Sequence, residues 1–350
     1  MKNLMLFSLL IIPFMAKSYV TLGSDSNCDY NFNDYTINDV INEVGVNEIR
    51  ITNQKEYFEN IRVSDSVTLK GGYANCTDAS NNVQNGVTTI NGSGIKPVMN
   101  IFNNTNTIFV NLYHLKLKNG KGEGSSQGGG ITIYDNNNAG ISVKLFSSIV
   151  SNNEGINGGG LFAYGANVAV DLFDSLVLNN QTNGNGGGIY CYDSYITLDK
   201  NSGVSLNDAY SNSSLFGNGG GIYATSSCYV DIKSSTNGGF DFKGINGNSA
   251  SSHGGGAYVK LGSTIRALSH IKKQVININN NYADSDFDGQ GEGGAIYITD
   301  SNSYALLYGV NVYENSAYAG GAFSINHHAH LFIEKDSDIH CWSQKKCNTV

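Results

Sequence analysis

The chain has 350 residues and a formal net charge of −8, with 40% hydrophobic and only 14% charged residues. The apolar content excludes a disordered chain, because enough apolar surface is available to offset the entropy lost on ordering. Arginine occurs only at Arg50, Arg62 and Arg266, and no cluster of cations exists. We therefore expect neither nucleic acid nor an anionic membrane surface as a partner, since both require clustered positive charge.

The first 18 residues have the features of a signal peptide. Lys2 precedes an apolar run from Leu4 to Met15, and the small residues Ala16 and Ser18 occupy the −3 and −1 positions of a cleavage site. The run is shorter than the ~18 apolar residues that a membrane-spanning helix needs. We predict a mature chain from Tyr19 without a transmembrane segment, located in the periplasm, at the cell surface or outer membrane, or outside the cell.

Export permits disulfides, and the chain has six cysteines. Cys28 and Cys76 both fall in the N-terminal region, and Cys341 and Cys347 lie close together near the C-terminus, so each pair is a candidate disulfide. Six cysteines allow 15 pairings, and spacing alone does not choose among them. Cys191 lies in an apolar column described below and is expected to be a buried free thiol.

A repeated glycine motif organises most of the chain. Pairs or triplets of glycine followed by apolar residues recur at intervals of 27 to 39 residues, starting at Gly128, Gly158, Gly186, Gly219, Gly254, Gly293 and Gly320. After each motif, apolar and polar residues alternate, which indicates a strand with one face buried. Two or three short strands per repeat of about 30 residues suit one coil of a solenoid.

This pattern predicts an all-β fold, a right-handed parallel β-helix. We assign residues 1–18 to the signal peptide, 19–44 to an irregular N-terminal cap, 45–335 to the β-helix and 336–350 to a C-terminal tail with a possible disulfide loop. A second motif, an apolar residue followed by two variable residues and then Asn, predicts a stack of asparagines inside a turn. Its members end at Asn152, Asn179, Asn207, Asn248, Asn281 and Asn315.

The paired motifs resemble the repeats of the chlamydial polymorphic outer membrane proteins. Val312-Tyr313-Glu314-Asn315 followed by Gly320-Gly321-Ala322-Phe323 is the closest copy, and the resemblance covers roughly residues 45–335. It is a likeness to the repeat region of that family and not to its membrane barrel. The resemblance implies the β-helix fold and, as a possibility, adhesin-like display at a cell surface.

Two columns of outward residues form the main candidate binding surface. The fifth and seventh positions of the motif alternate with the buried positions and are rich in aromatic residues. The first aromatic column is Phe162, Tyr190, Tyr223, Tyr258 and Tyr297, and the second is Tyr134, Tyr164 and Tyr192. Aromatic rings spaced along a sheet could bind sugars or a protein. Equally, tyrosines in strands stack on one another without any ligand.

Two polar clusters are candidate metal sites. Asp284, Asp286 and Asp288, followed by Gly289, match the start of a calcium loop, although Ala295 stands where such a loop requires Glu; Glu292 could contribute instead. A solvated acidic loop is the alternative, and we expect no cofactor other than calcium. His328 and His330 are expected to share one strand face, as an exposed polar pair without a third metal ligand.

The sequence favours a non-catalytic, adhesin-like protein that binds polysaccharide or protein at a cell surface. The β-helix fold also houses polysaccharide lyases and hydrolases, and fold alone does not decide function. The adjacent aspartates, Gly-His-Gly and Arg-x-Lys of a polygalacturonase-like site do not occur, and His253-Gly254 is only a fragment of such a motif. An enzyme with an unrecognised site and a structural envelope component remain the alternatives.

Overall fold

The computed structural model describes residues 18–340 except 44, 104, 125–126, 136, 200, 212–216, 234–242, 270–274 and 335–336. The predicted signal peptide and the Cys341–Cys347 pair therefore lie outside the described residues. Within them there are two short helices, Ile37–Ile41 and Cys76–Asn81, and every paired strand is parallel to its neighbours.

The strands form four long sheets, each named here by the number of its described strands. The twelve-stranded sheet contains, in spatial order, Tyr30–Asn31, Val20–Gly23, Glu48–Thr52, Val67–Tyr73, Ile108–Tyr113, Ile141–Phe146, Val168–Phe173, Tyr195–Asp199, Tyr229–Lys233, Thr264–Leu268, Tyr304–Tyr308 and His330–Ile333. The ten-stranded sheet contains Tyr57–Phe58, Thr88–Asn91, Leu115–Lys118, Ile149–Ser151, Leu176–Leu178, Gly203–Ser205, Gly244–Asn246, Ile276–Asn279, Val310–Tyr313 and Asp338–Ile339.

The remaining two sheets complete the wall. The nine-stranded sheet contains Ile61–Val63, Met99–Phe102, Ile131–Tyr134, Leu161–Tyr164, Ile189–Tyr192, Ile222–Thr225, Ala257–Val259, Ile296–Ile298 and Phe323–Ile325. The five-stranded sheet contains Glu154–Gly155, Gln181–Thr182, Asp208–Ala209, Ser249–Ala250 and Tyr282–Ala283. A complete coil visits the nine-, twelve-, ten- and five-stranded sheets in that order, so the predicted parallel β-helix is confirmed.

The core is built from the inward columns that the alternation predicted. In the nine-stranded sheet Leu161 pairs with Ile189, and in the twelve-stranded sheet Val143 pairs with Val170; all four side chains are fully buried. Each such aliphatic side chain contributes roughly 1.5–3 kcal/mol by leaving water. The stacking of like residues on like residues thus holds consecutive coils in register.

Glycine is required at the corner before the nine-stranded sheet. Gly158 has a φ of +66°, a left-handed conformation that glycine adopts without steric cost. A Cβ on the next residue, Gly159, would lie only 2.4 Å from the carbonyl oxygen of Gly187 in the following coil. The glycine motif therefore reflects close packing of backbone on backbone between coils.

The predicted asparagine stack exists, with two corrections in register. Asn153 and Asn180, and not the predicted Asn152 and Asn179, enter the interior. The Asn153 Oδ1 accepts from the backbone N–H of Gly120, and the Asn180 Oδ1 accepts from the backbone and side-chain nitrogens of Asn153. Asn152 and Asn179 adopt left-handed φ values of 56° and 53° and point away from the stack. In both segments two asparagines are adjacent, and the left-handed residue turns the second one inward. Asn207, Asn248, Asn281 and Asn315 occupy the predicted positions.

The N-terminal segment covers the first coil. Its strand Val20–Gly23 pairs with Glu48–Thr52, and Ile37 and Val40 of the first helix are buried in the core. Burial raises the pKa of the Glu59 carboxyl, which accepts hydrogen bonds from the first backbone N–H groups of that helix. The segment predicted to be an irregular cap therefore contributes two strands, Val20–Gly23 and Tyr30–Asn31, to the twelve-stranded sheet.

Two disulfides fasten the described chain. One joins Cys28 to Cys76, the pair that the sequence suggested, and ties the N-terminal segment to the second helix. The other joins Cys191 to Cys228, so the prediction of a free Cys191 thiol is wrong. Cys191 faces inward on the strand Ile189–Tyr192 of the nine-stranded sheet, where the corner of the next coil brings Cys228 within reach.

Candidate functional site

The first aromatic column is a continuous stack of rings on the outer face of the nine-stranded sheet. Neighbouring ring centroids from Phe162 to Tyr297 are 4.9–5.1 Å apart, and the planes are nearly parallel. The rings therefore present their faces to one another. A sugar ring could stack only on the two ends of the column.

Most of this first column is also covered. Phe162, Tyr223 and Tyr297 are 5%, 5% and 7% exposed, and burial raises the pKa of the Tyr223 hydroxyl well above its usual value. The Tyr297 hydroxyl accepts a hydrogen bond from the Asn326 side chain. These contacts describe an outer packing layer, which is the structural alternative that the sequence left open.

A ladder of polar side chains runs along the corner that precedes this sheet. The side-chain oxygen of Asn157 accepts a hydrogen bond from the backbone of Asn185, and that of Asn185 accepts from the backbone and side chain of Asn218. The row continues to His253, whose backbone N–H donates to the side-chain oxygen of Asn218. The ring of His253 stacks on Tyr297 at 4.5 Å, and its Nδ1 accepts from the backbone N–H of Glu292. His253 is thus part of a structural ladder.

The second aromatic column is more accessible. Tyr134, Tyr164 and Tyr192 are half-buried and stack at 4.7 and 4.6 Å. Their faces are again paired, so this column presents ring edges and hydroxyls to solvent. It remains a candidate surface for hydrogen bonding, and its role in binding stays a prediction.

An exposed aromatic surface that the repeat motif did not reveal lies on the twelve-stranded sheet. Along one outward column the register places Phe109, Ser142, Ala169 and Tyr195 on four consecutive strands. Phe109 and Tyr195 are each 56% exposed, and the two residues between them are small. We call this feature the aromatic trough. The alternation of Ile141, Val143 and Leu145 predicts the strand, but no sequence motif marks the outward residues of this sheet as a surface.

Charged groups lie beside the trough. Lys144 and Asp171 are paired residues in the neighbouring outward column. Farther along the same column Arg266 forms a two-point ion pair with Asp231 of the preceding coil, with N–O distances of 2.9 and 2.7 Å. Stacking of coils thus supplies Arg266 with an aspartate that the sequence did not reveal. That aspartate is held by the guanidinium in a structural pair.

The three aspartates of the predicted calcium loop come together. Asp284, Asp286 and Asp288 each offer a carboxylate oxygen, and these oxygens lie within 4.8 Å of one another. One oxygen of Asp284 also accepts from the backbone N–H of Gly289 and closes the loop. Glu292 does not join them, because its carboxylate accepts from the side chains at positions 324 and 326. Calcium binding stays a prediction that rests on the three aspartates.

The two histidines do not share a strand. His328 lies in a turn with a φ of 63°, whereas His330 begins a strand and stacks on Tyr304 at 5.3 Å. Among the residues that the structure describes, neither belongs to a group of three potential metal ligands. Their assignment to one strand face is wrong, because His328 lies in the turn that precedes the strand.

Within the described ranges, no helix has the length and apolarity to cross a membrane. No protein-family model, no curated protein and no solved structure matches the chain.

Proposed function

We propose that this chain is an exported, non-catalytic binding protein with an adhesin-like role, and that it holds a polysaccharide in the aromatic trough. The observation that carries the proposal is the pair of 56% exposed rings, Phe109 and Tyr195, separated by the small side chains of Ser142 and Ala169. Because no ring stands between them, each has a face that is not stacked within this column. Free aromatic faces suit the apolar faces of sugar rings.

The dimensions and polarity of the trough support this ligand class. Consecutive strands lie about 4.8 Å apart, so two small residues in a row leave space for sugar units along the axis. Lys144 and Asp171 border the trough and offer a donor and an acceptor for sugar hydroxyls. Because Lys144 and Asp171 carry opposite charges, the trough does not require a strongly charged ligand.

Export and surface display complete the proposal. The predicted signal peptide and the two disulfides fit an oxidising compartment outside the cytoplasm. The likeness of the repeats to the chlamydial polymorphic outer membrane proteins supports display at a cell surface. Neither feature identifies the polysaccharide.

Affinity electrophoresis of the mature chain from Tyr19 onward, in gels containing neutral or acidic polysaccharides, tests the proposal. We expect at least one polysaccharide to retard the protein, and Phe109→Ser or Tyr195→Ser to abolish retardation. Ala169→Phe should do the same by filling the trough. Phe58→Ser serves as the matched control, because that ring is 67% exposed on the ten-stranded sheet.

The same samples distinguish the alternatives. Release of new reducing or unsaturated ends would replace the proposal with a polysaccharide-active enzyme. Absence of both retardation and cleavage would leave a structural envelope component. Retardation that survives all three trough substitutions would place binding elsewhere on the molecule.

A further inference from the structure

A second concave surface lies at the corner between the ten- and five-stranded sheets. This groove has a volume of about 390 Å³, and its polar lining includes Asn119, Asn152, Asn179, Lys121, Glu154 and Gln181. A volume in this range accommodates a small ligand. None of these residues belongs to the aromatic trough. We call this surface the amide groove.

Its main feature is a row of three asparagines at the same position of successive coils. Asn119, Asn152 and Asn179 have left-handed φ values of 54°, 56° and 53°, so their side chains leave the backbone in the same way. Backbone hydrogen bonds of 3.1 and 3.0 Å, from Asn119 N–H to Asn152 O and from Asn152 N–H to Asn179 O, fix the row. The amides thus repeat at the coil spacing of about 4.8 Å.

These amides are available to a ligand. Within the described chain, none of the three side chains forms a hydrogen bond with another residue. This differs from the buried row one residue later, where Asn153 and Asn180 bond each other at 2.9 Å. The exposed row therefore contributes nothing to holding the coils together through its amides.

The wall of the groove is polar and electrically balanced. Glu154 and Gln181 are paired residues on adjacent strands, and the Lys121 ammonium lies 3.5 Å from the Glu154 carboxylate. Because the two charges are opposite, the groove does not select a strongly charged ligand. At the next coil the equivalent left-handed position is Leu206, which ends the row of amides.

We infer that the amide groove binds a neutral glycan chain lying along the helix axis. Each amide carries both donors and an acceptor, which together match a pair of neighbouring sugar hydroxyls. Three amides at one coil spacing would contact successive sugar units. This inference does not rest on the aromatic trough, since the two surfaces share no residue.

The test uses the mature chain in affinity gels that contain dextran, mannan or xyloglucan as neutral probes and polygalacturonate as the acidic comparison. We expect retardation by a neutral probe, and the triple change Asn119→Gly, Asn152→Gly and Asn179→Gly should weaken it about tenfold or more. Glycine keeps the left-handed backbone, so the fold should persist. Asn138→Gly is the matched control, with a left-handed φ of 54° outside the groove.

Each outcome decides the inference. Thermal unfolding by circular dichroism must show that the triple variant still folds as a β protein. Lack of retardation by all three neutral probes, or retardation that the triple change leaves intact, overturns the inference. If the Phe109→Ser and Tyr195→Ser variants alone remove binding, the proposed function stands and the amide groove is excluded.

Discussion

Cys191 and Cys228 form a disulfide that joins two successive coils inside the β-helix, with their Cα atoms 5.8 Å apart. Cys191 stands in a column between Ala163 and Ala224, and both of those residues are its direct strand partners. Cys228 immediately precedes the strand Tyr229–Lys233 of the twelve-stranded sheet. The equivalent residues before the two neighbouring strands are Ser194 and Ser263. Neighbouring coils thus show which residues fit when the disulfide is absent.

The double variant Cys191→Ala/Cys228→Ser should fold but lose stability. The disulfide closes a segment of 37 residues, and its loss should lower the free energy of unfolding by about 3–4 kcal/mol in the chain-entropy model. Denaturant unfolding of this variant beside the parent chain measures the difference. An unchanged midpoint would mean that the two cysteines are not joined in solution.

Asn207→Ala should be strongly destabilising. The Asn207 Oδ1 accepts from the backbone and side-chain nitrogens of Asn180, and its Nδ2 donates to Val177 O and Asn248 Oδ1. Removing the amide leaves buried partners unsatisfied, which should cost about 3 kcal/mol. Asn183→Ala, at an exposed position, is the control for urea denaturation. Equal losses in the two variants would contradict the structural role of the stack.

His253 should make stability depend on pH below about 6.5. Burial lowers the pKa of His253, and the nearby carboxylates of Glu292 and Asp288 oppose the shift. The stacked rings of Tyr258 and Tyr297 complete its surroundings. The unfolded chain, with an ordinary histidine pKa near 6.5, therefore takes up a proton before the folded chain does. The contribution of neutral His253 to the free energy of unfolding is fully present above pH 6.5, and it is lost as the pH decreases toward the pKa of His253 in the folded chain.

The substitution His253→Asn isolates this effect. Asparagine occupies the equivalent ladder position at Asn185 and Asn218, so the backbone bonds of the row can be kept. Thermal melting from pH 7.5 to pH 5 should show a smaller loss for the variant than for the parent chain. Parallel curves would assign the pH dependence to other groups.

Tyr223→Ala should cost about 3–5 kcal/mol, a range typical of a large ring removed from a packed site. The ring is stacked between Tyr190 and Tyr258 and is 5% exposed. Tyr164→Ala, in the half-buried second column, should cost less. Chemical denaturation compares the two variants. A negligible effect of Tyr223→Ala would mean that the first column is not a packing layer and is again a candidate binding surface.

The calcium prediction is tested with the exposed members of the loop. Asp286→Asn/Asp288→Asn leaves Asp284 to accept from Gly289 N–H, so the loop should keep its form. We expect calorimetric titration of the parent chain to show one calcium ion bound at millimolar concentration, and the double variant to show none. Absence of stoichiometric binding by the parent chain would leave a solvated acidic loop.

The amino-acid sequence by itself determined the parallel β-helix and most of its core. Alternation with a period of two and the glycine motif are local signals, and Ile189 and Val204 face inward because strand geometry leaves no other choice. The aromatic columns were also predictable, since they fill the alternate positions of the same strands. The burial of these columns could not be predicted, because it depends on the polar ladder at the corner that precedes the nine-stranded sheet.

Tertiary structure decided everything that depends on which residues neighbouring coils bring together. The coil length varies, with 27 residues from Asn153 to Asn180 and 41 from Asn207 to Asn248, so sequence distance does not identify partners. Only coil stacking joins Cys191 to Cys228 and leaves small side chains between Phe109 and Tyr195. A single left-handed residue precedes each buried asparagine. Because this residue changes the direction of the chain, its own side chain stays outside and the side chain of the next residue turns inward. Tertiary structure therefore decides which amides are buried and which line the amide groove.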